Sequence, residues 1–102
     1  MRIDFDAVLM DVGGEAIPLD NRPDSPKATL AVISVRALGQ IFADEQQLPA
    51  EQKVARYKLA LRIVDGGVQE MSIEEAALLK AVIGKAYSPF VVGAAFSLIE
   101  RT

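Results

Sequence analysis

From Arg2 to Met10 the chain alternates with a period of two. Ile3, Phe5, Ala7 and Leu9 fall on one side, and Arg2, Asp4, Asp6 and Val8 on the other. Successive side chains of a strand point to opposite faces, so this stretch predicts a strand with the first set turned to the core. Gly13-Gly14 offers two positions that accept positive φ and suits a tight hairpin turn into Glu15–Leu19. Pro18 cannot donate to a ladder, which makes the returning strand short and peripheral. Asp20 to Lys27, with Pro23 and Pro26, reads as a loop.

After Thr29 the pattern changes to that of helices. Thr29 is a suitable N-cap for Leu30 to Phe42, a segment apolar on nearly every side and therefore expected in the middle of the fold. Pro49 suits the first position of a second helix reaching about Val64, with Asp65-Gly66-Gly67 as its stop. Val68 to Met71 is short enough for a third strand beside the hairpin. Ser72-Ile73-Glu74-Glu75 is a capping box, in which the Ser72 hydroxyl and the Glu75 carboxylate each satisfy an unpaired backbone N–H. It opens a third helix to about Tyr87 that buries Ala76, Leu79, Val82, Ile83 and Ala86. Ser88-Pro89 starts a fourth, carried to Ile99. The expected architecture is α+β in a single domain over residues 1–102: an N-terminal β-hairpin (1–19), with a possible third short strand, packed on about four α-helices (29–100).

Composition narrows the chemistry. The 102 residues include no Cys, His or Trp. Thiol nucleophiles, iron–sulfur clusters, Ser-His-Asp triads and the usual zinc sites therefore drop out. No phosphate loop or dinucleotide fingerprint is present. We expect no enzymatic activity, no catalytic residues, no cofactor and no metal. Apolar residues make up 51% of the chain; with the 2 Tyr left out and the 7 Gly counted, the share stands above the roughly 45–50% usual on that basis. Either the core is rich in small residues or a partner covers part of the surplus.

Charge is unevenly placed. The net −3 combines an acidic start, where residues 1–24 carry six acids against Arg2 and Arg22, with a basic second helix, where Lys53, Arg56, Lys58 and Arg62 outnumber Glu51 and Asp65. On a 3.6-residue period Ala50, Val54, Tyr57, Leu61 and Val64 form one stripe of that helix, expected to face the core. Leu59 and Ile63 fall opposite, beside Arg56 and Arg62. These four make a candidate partner-binding face, an apolar centre with an arginine rim, unless the helix is covered on both sides. In the fourth helix Phe90 and Phe96 mark a possible oligomer interface, such as a homodimer seam, although the domain's own core is the favoured reading. Gly84 and Gly93 suggest close helix packing there.

Other readings are weaker. Asp4 and Asp6 share a strand face and could hold a hard cation, but a solvated face suffices to explain them. The second and third helices could pass for a helix-turn-helix, yet Glu74 and Glu75 would then meet phosphates, so no nucleic-acid partner is expected. The acidic N-terminus is unlike a signal peptide, and the longest apolar run falls short of the about 20 residues of a membrane span. A protein partner, no membrane and a cytoplasmic location are the expectations.

The opening Ile3-Asp4-Phe5 carries a resemblance together with three longer stretches: Glu51-Gln52-Lys53-Val54-Ala55-Arg56-Tyr57-Lys58-Leu59-Ala60-Leu61, Ile73-Glu74-Glu75-Ala76-Ala77-Leu78-Leu79-Lys80 and Ile83-Gly84-Lys85-Ala86-Tyr87-Ser88-Pro89-Phe90-Val91-Val92-Gly93. With these the chain resembles small phage- and prophage-encoded proteins of about its length. The likeness covers most of the chain, and none of its motifs is catalytic. The likeness implies a phage-encoded protein and no particular activity; the apolar surplus, the absence of catalytic side chains and the charge asymmetry add the expectation of an accessory protein in the host cytoplasm that binds another protein, host or viral. The alternative is a head or tail assembly factor that self-associates.

Overall fold

A computed structural model describes residues 1–20 and 22–101. Strand β1 (Arg2–Asp4) pairs antiparallel with β2 (Val68–Glu70), setting Arg2 opposite Glu70, Ile3 opposite Gln69 and Asp4 opposite Val68. Backbone bonds from Phe5 N to Gly67 O (2.9 Å) and from Met71 N to Met1 O (2.7 Å) extend the ladder at both ends. The short strand after the glycine turn is thus the regular partner of the first.

The strand expected over Arg2–Met10 breaks after Asp4, whose carboxylate accepts a bond from Asp6 N at 3.0 Å and closes a local turn. Pairing then resumes through isolated antiparallel bridges, Val8 with Thr29, Met10 with Ala16 and Pro18 with Lys27. The Met10–Ala16 bridge is the expected hairpin. Asp11 organises its turn, its Oδ1 accepting from Gly13 N (2.9 Å) and Glu15 N (3.0 Å), and only Gly14 takes positive φ (83°). The alternation holds through the break: Ile3, Phe5 and Leu9 are buried, and Ala7 is half-buried.

Four helices complete the α+β fold: α1 (Leu30–Leu38), α2 (Ala50–Ile63), α3 (Ile73–Ala86) and α4 (Pro89–Glu100). Thr29 caps α1, its hydroxyl accepting from Val32 N at 3.3 Å. The helix stops at Gly39, short of the expected Phe42, and a single 3-10 turn at Ala43–Glu45 leads to α2. The capping box is present, with Glu75 N donating to Ser72 Oγ (3.0 Å) and Ser72 N to Glu75 Oε1 (2.8 Å). Ala76, Leu79, Val82 and Ile83 are buried as expected.

Helix α1 is central, packed on α2 and on α3, while α4 packs on α3 and β1. One core joins Ile3, Phe5 and Leu9 to Leu30 and Ile33 of α1, Leu59 and Ile63 of α2, Leu79 and Ile83 of α3, and Ile99 of α4. Helix α4 buries only Ala95 and Ile99. A Cβ at Gly93 would meet nothing within 4 Å, so the close approach expected there is absent, and at Gly84 it would make an ordinary 3.9 Å contact with the Phe96 ring.

Candidate docking face on the second helix

Helix α2 is rotated by about half a turn from the expectation. Leu59 and Ile63 are 4% and 0% exposed, whereas Val54, Tyr57, Leu61 and Val64 are 48%, 64%, 52% and 57% exposed. Of the proposed partner face, Arg56, Leu59 and Ile63 are therefore on the inner side of the helix and Arg62 at its exposed edge, and the stripe assigned to the core is the outer side.

The chain's exit from α2 explains the rotation. Gly66 and Gly67 have φ of 73° and 79°, a pair of left-handed positions that only Gly adopts without strain. They turn the chain within four residues onto β2. That strand must meet β1, which belongs to the core, so the side of α2 carrying Leu59 and Ile63 is drawn inward. Gly66 also lies against the Asp6 carboxylate, where a Cβ would come within 2.2 Å of Oδ1.

The two arginines serve the fold. Arg56, 7% exposed, makes a two-pronged pair with Glu45, Nη1 to Oε1 at 2.8 Å and Nη2 to Oε2 at 2.5 Å. A planar guanidinium suits a carboxylate in this geometry. Its hydrogen bonds, with the nearby positive charges of Arg56 and Lys85, hold the Glu45 carboxyl at about 2, down from an ordinary 4.5. Lys85 also bonds Asp44 at 2.9 Å, and its ammonium lies over the Phe42 ring at 5.6 Å. The 3-10 turn is thereby tied to both α2 and α3. Arg62 is half-exposed, pairs with Glu75 and donates to the Glu70 carbonyl at 3.0 Å, joining α2 to the start of α3.

On the outer side a groove of about 420 Å³ runs between α1 and α2. Val35, Leu38 and Ile41 form one wall, and Tyr57, Leu61 and Val64 the other. Ile41, two residues past the end of α1 at Gly39, is itself exposed. Lys53 stands at the rim. The residues of this face were visible as a stripe in the sequence. Helical period gathers them on one side, while the restraint that decides the rotation lies in the turn beyond the helix.

The remaining candidates separate. Asp4 closes its local turn and Asp6 leans on Gly66, and among the described residues no group of three acidic side chains is placed to hold a metal ion. Phe90 is exposed beside Met10 and Val12, which border a hollow of about 330 Å³ with Gly93 and Ala94. Phe96 is half-buried under the Lys80 ammonium, 5.2 Å from the ring centre, so it does not share that patch. Among the described residues no helix is long and apolar enough to cross a membrane.

Fold and surface together define a small α+β domain with an apolar helix face open to solvent. No protein-family model matches the chain, and no match is found among curated proteins or solved structures.

Proposed function

We propose that the protein is a small phage-encoded accessory protein that acts in the host cytoplasm by binding another protein, with no chemistry of its own, and that the outer face of α2 is where it binds. The carrying observation is the contiguous exposure of Val54, Tyr57, Leu61 and Val64 beside the groove walled by α1. Exposed apolar residues are unremarkable singly, but a connected set around a large Tyr has the composition of an interface centre. The lack of Cys and His supports binding over catalysis, and the sequence likeness supports the phage assignment. The test compares capture from infected host lysate by the wild-type protein and a Tyr57→Asp/Leu61→Asp variant. A protein retained by the first and lost by the second, at unchanged unfolding midpoint, supports the reading. Identical capture by both overturns it.

The patch of Phe90, Met10 and Val12 favours a second reading, a self-associating head or tail assembly factor. Light scattering then gives about twice the 11.0 kDa chain mass, reduced to monomer by Phe90→Asp. A clean wild-type monomer removes this reading.

A further inference from the structure

We infer that the occupant of the α2 face is an amphipathic helix of a different polypeptide, with acidic residues flanking its apolar seam. The inference rests on the reading of this face as a docking site and names the chemistry of its partner. The first support is spacing. Ala50, Val54, Tyr57, Leu61 and Val64 follow one another at intervals of four, three, four and three, the alternation of the a and d positions of a heptad. Over these 15 positions the stripe extends about 21 Å along the helix. A strand presents side chains every second residue and would lose register with it, whereas a second helix keeps pace. The walls agree, since Val35 and Leu38 of α1, with Ile41 just beyond its end, stand opposite Tyr57, Leu61 and Val64 and leave a trough along α2.

The second support is charge. With Val54 and Leu61 as a positions, Lys53 is a g residue and Lys58 an e residue, the positions that select partners across a helical seam. The structure places them so: Lys53 borders the groove on one edge of the stripe, and Lys58 borders a hollow with Ala50 and Val54 on the other. Arg56 and Arg62 are engaged by Glu45 and Glu75, but among the described residues Lys53 and Lys58 have no ion-pair partner. The centre of the face is thus flanked by two exposed cations, with Glu51 and Asp65 at the e positions nearer its two ends.

A second copy of the chain does not answer them. In a parallel two-fold pairing Lys53 of one copy meets Lys58 of the other. In an antiparallel one centred on this stripe Lys58 meets Lys58, while Glu51 meets Asp65. Both arrangements oppose like charges, which selects against self-pairing. Carboxylates opposite the two lysines turn the same positions into attraction.

The test uses the full chain and two labelled 21-residue peptides with Leu at every a and d position and Ala and Gln elsewhere, one with Glu and one with Lys at e and g. Anisotropy titrations are expected to show saturable binding of the acidic peptide, about tenfold tighter than the basic one. Lys53→Glu/Lys58→Glu should invert that preference, and Tyr57→Asp/Leu61→Asp should abolish binding. If the lysine changes unfold the chain, the wild-type preference alone decides. No saturable binding of the acidic peptide up to about 1 mM, or equal binding of both peptides, overturns the inference. So does sedimentation of the protein with phosphatidylglycerol vesicles through Tyr57 and Leu61, or a dimer dissolved by changing them. Lysate capture that depends on Tyr57 and Leu61 while the acidic peptide fails overturns the helical partner and leaves the docking reading standing. Failure of both removes both.

Discussion

The two faces of α2 are both apolar and have opposite roles. The inner face has Leu59 and Ile63 with the paired Arg56, and the outer has Val54, Tyr57, Leu61 and Val64. Hydrophobicity alone would bury the larger set, yet the smaller one is in the core. The helix is fastened by groups outside it, at its middle by Glu45 through Arg56 and at its end by the Gly66-Gly67 turn. A helix apolar on two sides takes its orientation from these attachments, and its free side remains for another molecule.

The largest expected effect tests the inner face. Ile63→Ala removes a fully buried side chain and should cost about 2–5 kcal/mol of unfolding free energy, read by urea denaturation. A loss below about 1 kcal/mol would place Ile63 outside the core. Next comes the polar fastening. The folded Glu45 carboxyl sits at about 2 against an ordinary 4.5. A depressed carboxyl stabilises the fold above its unfolded value and loses that contribution as pH falls through the folded one. The wild-type protein should therefore lose more stability between pH 4.5 and 2 than Glu45→Gln, and parallel acid profiles would show that the pair contributes nothing.

The turn that orients α2 is the third point of attack. Gly66→Ala forces a left-handed Ala and pushes Asp6 aside, with an expected cost of about 1–2 kcal/mol in thermal unfolding. An unchanged midpoint would mean that the turn relaxes freely. Smaller still is Ser34→Ala on the central helix. The Ser34 hydroxyl is fully buried and makes no hydrogen bond to any described residue, so its removal should be neutral or stabilise by up to about 1 kcal/mol. A loss above that would reveal a bond that the hydroxyl makes.

What could be read from the sequence follows the range of the interactions involved. The Ser72/Glu75 capping box, the Thr29 cap and the buried face of α3 depend on residues within one or two turns, and their spacing carries them. The glycine pair and the short strand after it were legible for the same reason. The β1–β2 partnership joins residues 64 or more positions apart, and the rotation of α2 depends on it. Likewise Glu45 meets Arg56 eleven residues on, across a chain reversal that no helical period describes. The stripe that became the candidate site was therefore visible, with its direction undetermined by pattern.

The most direct measurement unfolds Leu59→Ala and Leu61→Ala side by side in urea. Two Leu only two positions apart receive the same substitution in the same helix, so intrinsic helix propensity cancels. With Leu59 inside and Leu61 outside, the first should lose about 2–5 kcal/mol and the second stay within about 0.5 kcal/mol of wild type. Equal losses, or the larger loss at Leu61, would contradict the assignment of the two faces and with it the docking surface on α2.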